Sequence, residues 1–284
     1  MRTLLVVGIG AGDPDQLTLQ AVRALERTDV FFVLDKGPAA GDLTALRREI
    51  LDRHLGEGTY RLVEAPDPPR DRTPSDDRST AGRAAYAAAV DDWHARRAAL
   101  YEAMFLDELD DEGTGAFLVW GDPSLYDSTL RILERVAARG KVAFEHQVIP
   151  GISSVQALAA AHRLVLNGIG TPVTITTGRR LAEAGFPPDV DDLVVMLDGD
   201  TAFTTLASTS TSTSTVAGVG AGAGADIHIY WGAYLGTDDE LLIHGPLPDV
   251  AATITRTRAD ARHRKGWIMD IYLLRRTPRH RHAP

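Results

Sequence analysis

Three short stretches of this chain set glycine beside a carboxylate or a hydroxyl directly after an apolar run. The first is Gly8-Ile-Gly10-Ala-Gly12-Asp13-Pro14, and the second is Trp120-Gly121-Asp122-Pro123-Ser124-Leu125-Tyr126. The third is Val148-Ile149-Pro150-Gly151-Ile152-Ser153-Ser154. Glycine lets a backbone come close to a ligand. Asp122 can accept hydrogen bonds from a ligand amine or cap a helix, and one of Ser153 and Ser154 suits an N-cap. The first stretch carries two glycines of a dinucleotide fingerprint, and Asp35 lies where such a site keeps its ribose acid. The third glycine position holds Asp13 instead, whose charge opposes a pyrophosphate at a helix N-terminus. These are loops for close approach, poorly suited to phosphate. Asp198-Gly-Asp200 reads as a turn rather than a cation site, His280 and His282 read as tail residues, and no metal centre is expected.

The elements that must hold these turns alternate. Leu4–Val7, Asp29–Asp35, Tyr60–Ala65, Ala116–Trp120 and Val142–Ile149 read as strands. Between and after them, Leu17–Arg27, Asp42–Leu55, Thr80–Glu112, Leu125–Arg139 and Ser153–Leu166 have helical spacing or capping. Four prolines between Pro66 and Pro74 exclude regular structure there. Strand–helix alternation predicts an α/β fold with a parallel sheet and a ligand at the strands' carboxyl ends. All three turns would then face one crevice.

Beyond this region, strands are expected at 172–177, 193–197, 227–231 and 267–274, with one helix around 250–264. We therefore expect an N-terminal α/β domain over 1–166 and a C-terminal α/β domain over 167–284. The Ser/Thr-then-Gly/Ala segment at 207–225 cannot bury a core and is read as a loop without assigned function.

Composition narrows the function classes. The chain has 284 residues, 44% of them hydrophobic and 24% charged, enough to build a real core. It has no cysteine, which excludes disulfides, thiolate metal sites and thiol catalysis. No apolar run is long enough for a membrane span, and the start reads as a strand rather than a signal peptide, so a cytoplasmic protein is expected. The net charge is −9, and outside the basic stretch from Arg256 onward the remainder carries −16, too acidic for a duplex-binding surface.

In this order and spacing, the Gly-x-Gly-x-Gly-Asp-Pro start, the Gly-Asp-Pro-x-x-Tyr loop and the Pro-Gly-Ile-Ser-Ser turn resemble the tetrapyrrole methylases. Further stretches are similar to the branch of that family that also removes an acetyl group in aerobic cobalamin synthesis. They are Phe31-Phe-Val-Leu-Asp-Lys36, Glu64-Ala-Pro-Asp-Pro68, Asp92-Trp-His-Ala-Arg-Arg97, the run Phe117 to Arg131, Tyr230-Trp-Gly-Ala-Tyr-Leu-Gly236 and Trp267-Ile-Met-Asp. The resemblance implies the two-domain class III methyltransferase architecture, with an active site in the inter-domain cleft, and a homodimer. It implies S-adenosyl-L-methionine as cofactor, and methylation of precorrin-5 at C-1 with release of acetate. Cofactor contacts carried over by the resemblance are Ala11, Gly121, Asp122, Leu125, Tyr126, Ser153, Ser154, Leu197, Ala233 and Ile268.

Methyl transfer from a sulfonium asks mainly for orientation, because the donor brings its own leaving group. Acetate release asks for more, since water must attack a carbonyl and a carbon must leave. Asp13 and Asp35, at strand ends, are candidates to activate that water. A polycarboxylate substrate also needs local positive charge, for which Lys36, Arg47, Arg70, Arg72 and Arg179 are the candidates. Two other readings remain open: another methylase of this architecture, such as one resembling diphthine synthase, and a non-catalytic S-adenosylmethionine-binding protein.

Overall fold

A computed structural model describes residues 1–35, 41–71, 80–208 and 226–277. Lys36, Arg72, the low-complexity segment from 209 onward, His280 and His282 lie outside the described residues. The chain divides into two compact units, Met1–Ser153 and Ser154–Pro284.

The first unit is a parallel sheet of β1 (Arg2–Gly8), β2 (Val30–Asp35), β3 (Arg61–Pro66), β4 (Thr114–Val119) and β5 (Phe144–Ile149). The strands lie in the order β3-β2-β4-β1-β5. Its helices are α1 (Leu19–Glu26), α2 (Gly41–Leu55), α3 (Thr80–Glu108) and α4 (Thr129–Arg139). Alternation along β1 sends Leu4 and Val6 to one face, where they join Tyr101 and Phe105 of α3 and Ile132 and Val136 of α4. Leu5 and Val7 turn to the other face, joining Ala21 and Leu25 of α1 and Ile50 and Leu51 of α2. Burial on both sides explains why β1 and β4 are nearly unbroken apolar runs. Each fully buried Leu or Phe there stabilises the unit by about 1.5–3 kcal/mol. Because β1 lies between β4 and β5, three strand ends open side by side where the chain order reverses.

The second unit contains α5 (Ser154–Ala161), β6 (Val173–Thr177), α6 (Gly178–Ala184), β7 (Asp192–Met196) and α7 (Phe203–Ser208). It continues with β8 (Ile227–Ala233), β9 (Leu241–Pro246), α8 (Leu247–Lys265) and β10 (Asp270–Arg276). The sheet order is β6-β7-β10-β8-β9. Among the described residues only the β6–β7 pair of this sheet is parallel. Trp231, Phe203, Tyr272, Leu247 and Ile254 form the centre of its core.

Several boundaries differ from expectation for local reasons. Helix α4 starts at Thr129 rather than Leu125. Tyr126 adopts a left-handed φ of 54°, and the Asp127 carboxylate accepts the Thr129 N–H at 2.7 Å. Helix α5, expected within the first domain, packs on β8 and β10 of the second unit. The space left by Gly232 admits Leu158, and the His162 Nε2 is 3.0 Å from the Trp231 carbonyl. β9, α6 and α7 are additional elements, each too short for strong periodicity. Among the described residues no helix is long and apolar enough to cross a membrane.

Candidate active site

The three glycine turns meet at the carboxyl ends of β1, β4 and β5. A Cβ added to Gly8 would lie 2.6 Å from the Gly151 nitrogen and 2.8 Å from the Gly121 carbonyl oxygen. One added to Gly151 would lie 2.7 Å from the Gly8 carbonyl carbon. The obstructing atoms are backbone and cannot move aside singly. A short antiparallel bridge locks two of the turns: the Gly121 N–H donates to the Gly10 carbonyl at 2.7 Å, and the Gly10 N–H donates back at 3.3 Å. Gly10 and Gly121 have φ of 84° and 70°, a region open to glycine without steric cost.

Asp122 fastens the third turn. One carboxylate oxygen accepts the Gly151 N–H at 2.9 Å, and the other accepts the Ser124 N–H at 2.9 Å and the Ser124 hydroxyl. Burial is the largest single influence on this group and opposes its charge. The hydrogen bonds from Ser124 and Gly151 together outweigh it and hold the pKa below the usual carboxylate value. Asp13 caps the short 3-10 turn Pro14–Gln16, its carboxylate accepting the Asp15 N–H at 2.8 Å. Ala11 is buried, and its N–H donates to the Gln16 side-chain carbonyl at 3.0 Å. Asp35 is exposed at the end of β2, where its carbonyl accepts the Asp67 N–H at 2.8 Å.

Past the Gly121 turn, Leu125 is half-buried and donates its N–H to the Asp122 carbonyl, whereas the Tyr126 side chain is 44% exposed. Burial of part of its ring raises the Tyr126 pKa. Arg47 reaches from α2 to the end of β4 and donates from Nε to the Leu118 carbonyl at 3.1 Å. Burial lowers its pKa, with the charge of Asp127 opposing the shift. Ser128 occupies the N-cap of α4 without capping it; its Oγ lies 3.1 Å from Nε2 of His94, on α3. His94 is buried, and its pKa is lowered first by burial and then by Arg135, Arg97 and Arg131. Ser153 is also buried, and Ser154 opens α5.

In the second unit, Leu197 follows β7 with a φ of 53° and a side chain 64% exposed. A branched apolar residue in that conformation and that exposed is held there by its surroundings at a cost of about 1–3 kcal/mol, a pattern found at ligand sites. The hold is visible in the next residue. The buried Asp198 carboxylate accepts the Ala202 N–H at 2.7 Å and the Tyr272 hydroxyl at 2.6 Å, while its carbonyl accepts from Arg258 at 2.6 Å. Arg258 also pairs with Asp270 at 2.8 Å, and Trp231 donates to Asp270 at 3.0 Å. Burial pushes the Asp270 pKa up, and Arg258 and Trp231 offset part of that push. Ala233 is buried at the end of β8, Ile268 packs on the core before β10, and Arg179 lies in the first turn of α6.

The sequence model of the Tetrapyrrole (Corrin/Porphyrin) Methylases matches residues 3–251. The chain belongs to the tetrapyrrole methylase family. It is 49% identical to a precorrin-6A synthase [deacetylating] of Sinorhizobium sp over 276 residues, 97% of this chain and 96% of that one. The crystal structure of CobF from Corynebacterium diphtheriae, described as a cobalamin synthesis related protein, has 36% identity and a TM-score of 0.74. It covers 98% of this chain and 100% of its own. Uroporphyrin-III C-methyl transferase from Thermus thermophilus, solved with S-adenyl homocysteine, shares the fold at 18% identity, with a TM-score of 0.52 and coverage of 96% and 91%.

This methylase carries a second polar cluster beside the glycine turns. Arg97, buried on α3, pairs with Asp67 through two nitrogens, Nε at 2.7 Å, and lies 4.0 Å over the Trp93 ring. Trp93 donates to the Pro68 carbonyl at 3.0 Å. Arg70 donates to the Tyr86 hydroxyl at 2.6 Å and stacks over Tyr86 and Trp93; its buried Nε has no partner among the described residues. Of the expected substrate arginines, Arg47 and Arg70 thus lie near the carboxyl edge of the first sheet, and Arg179 belongs to the second unit. Sequence reading missed His94, Ser128 and the Asp198–Arg258–Asp270 network. The only signal for the first pair was that both sit within stretches carrying the family resemblance.

Proposed function

We propose that this methylase converts precorrin-5 to precorrin-6A, methylating C-1 and releasing acetate, with S-adenosyl-L-methionine as methyl donor. The acceptor rests on the 49% identity to the deacetylating synthase across nearly the whole chain. The cofactor has support in the composition of the three turns. Residues 8–13, 121–127 and 150–153 contain Asp13, Asp122 and Asp127 and no lysine or arginine. Such loops suit a cofactor carrying a sulfonium and an amine, and they disfavour the pyrophosphate of a dinucleotide. When bound, S-adenosyl-L-methionine supplies an electrophilic methyl group.

The chain's own residues position the reaction. Gly8, Gly121 and Gly151 bring backbone to the cofactor, and Asp122 fixes the turns against one another. Ala11, Leu125, Tyr126 and Ser153 are assigned to cofactor contact, and so are Ser154, Leu197, Ala233 and Ile268. Arg47 and Arg70 are assigned to orient substrate carboxylates through their guanidinium groups. Arg179 is assigned the same role. Asp13 and Asp35 remain assigned to substrate or water contact, Asp13 alongside its capping bond. We assign the protein to the cytoplasm as a homodimer.

The test is purified protein with methyl-labelled S-adenosylmethionine and precorrin-5. Label in the macrocycle with an equal amount of acetate is expected. Cofactor binding without either product would overturn the acceptor and leave one of the other two readings.

A further inference from the structure

Acetate release requires a nucleophile for the acetyl carbonyl, and neither Asp13 nor Asp35 is built as one. Asp13 spends a carboxylate oxygen on capping. Asp35 is exposed at a strand end, where water competes for its charge. A different pair has the required form. Ser128 stands at a helix N-cap, where a serine hydroxyl ordinarily binds the first turn's amides. Here Asp127 takes that task by accepting the Thr129 N–H, and the Ser128 hydroxyl points at His94 instead. Ser128 is partly exposed, whereas His94 lies buried behind it. A hydroxyl on a partly exposed residue, backed by a sheltered imidazole at 3.1 Å, is the arrangement of an activated nucleophile.

The surroundings tie this pair to the acetyl-removing branch. Ser128 lies two residues after Tyr126, within the run Phe117–Arg131. His94 lies within Asp92–Arg97, and Arg97 and Trp93 clamp Asp67 and Pro68 of the Glu64–Pro68 stretch. The Asp67 N–H in turn donates to the carbonyl of Asp35, in the stretch Phe31–Lys36. Four separate stretches that carry the resemblance to that branch therefore converge around one serine–histidine pair beside the proposed cofactor loop. Burial first, and then the charges of Arg135, Arg97 and Arg131, bias His94 toward its neutral, proton-accepting form.

We propose, resting on the precorrin-5 reading above, that Ser128 is the nucleophile that takes the acetyl group and His94 is its base. Ser128 Oγ adds to the acetyl carbonyl carbon while its proton passes to His94 Nε2. The resulting alkoxide collapses, breaking the bond between the acetyl carbon and the ring carbon that carries it. The bonding pair stays on the ring, delocalised over the conjugated macrocycle, until methyl transfer consumes it. His94 gives its proton to solvent and then takes one from a water that attacks the acetyl-serine ester. Ser128 Oγ regains that proton and acetate leaves.

The experiment follows wild type, Ser128→Ala and His94→Gln with precorrin-5 and S-adenosylmethionine, each checked for unchanged affinity for the cofactor. Acid quenching during turnover should yield an acetylated peptide containing Ser128, and added hydroxylamine should divert acetyl to acetohydroxamate. A hydroxyl that merely braced α3 against α4 would give neither. Both variants should release acetate about 100- to 10,000-fold more slowly. Acetate release at the wild-type rate from Ser128→Ala overturns the proposal. So does wild-type turnover that yields neither acetyl-peptide nor acetohydroxamate. A wild type that binds cofactor but releases no acetate overturns the precorrin-5 reading together with this one, and is told apart by failing before any variant is compared.

Discussion

Replacing Asp122 by asparagine tests whether one carboxylate holds the glycine turns together. The carboxylate accepts on both sides, from the Gly151 N–H at 2.9 Å and from the Ser124 N–H at 2.9 Å, with the Ser124 hydroxyl beside the latter. An amide can accept with only one oxygen. Whichever way it flips, its NH2 group faces an N–H donor, either of Gly151 or of Ser124. A donor so stranded costs about 1–3 kcal/mol when buried. Asp122 is only half-buried, so water recovers part of that and the lowest quarter of the range is expected. A loss of about 1–1.5 kcal/mol is roughly 5- to 12-fold in an equilibrium constant. Urea unfolding at neutral pH should show this loss, and calorimetric titration should show weaker binding of S-adenosylmethionine by a similar factor.

The pH dependence sharpens the test. The Asp122 pKa is depressed in the fold, so its contribution is full above the ordinary carboxylate value of 3.8 and lost as pH falls through the folded value. The gap between wild type and Asp122→Asn should therefore narrow in acid. An asparagine variant with wild-type stability and cofactor affinity, and a gap that does not change with pH, would refute the idea that this carboxylate ties the turns.

Other outcomes follow from the same structure. Gly8→Ala drives a methyl into the Gly151 and Gly121 backbones and should destabilise the first unit by about 1–3 kcal/mol, read as a lower urea midpoint. Arg258→Met leaves the buried Asp270 and the Asp198 carbonyl without their cation and should cost about 3–5 kcal/mol in the second unit, measured by thermal unfolding. Burial holds His94, His162 and His228 below the ordinary imidazole value of 6.5. Stability should therefore be full above that value and fall as pH drops through the lowered ones, with a shallower fall in His94→Gln; a flat midpoint from about pH 7 to about pH 5 would count against it. Arg70→Met should raise the KM for a polycarboxylate acceptor more than it lowers kcat, as loss of uniform binding does.

The first unit was legible because its strands are buried on both faces. Leu4–Val7 and Ala116–Val119 carry their position in composition alone, and glycine at their ends marks where the chain must turn. The turns that form the candidate site were legible through their glycines: at Gly8 and Gly151 backbone occupies the side-chain space, and Gly121 takes a φ of 70°. The second unit was less so. β9 is an edge strand whose Leu-Leu-Ile run shows no alternation, and α7 is fewer than two turns, with only Phe203 and Leu206 to mark its buried face. The expected start of α4 at Leu125 was too early because Tyr126 adopts a left-handed conformation, which breaks the chain before Thr129. No propensity of tyrosine announces that.

Tertiary pairing is what a single sequence conceals. Ser128 looks like a cap because serine before a helix is one in most chains. Asp127, one residue earlier, is an equally good cap, and nothing local says which of the two the helix uses. The choice is made by His94, 34 residues away on α3, whose ring stands 3.1 Å from the hydroxyl. Once Asp127 caps, the serine is released for chemistry at no loss to the helix. Exchanging the two tasks should therefore be possible without unfolding the protein: in Ser128→Ala the Asp127 cap persists, so helix content and cofactor affinity should match wild type while acetate release falls. If instead the variant loses helix content, Ser128 holds α4 after all, and the division of labour between these adjacent residues is wrong.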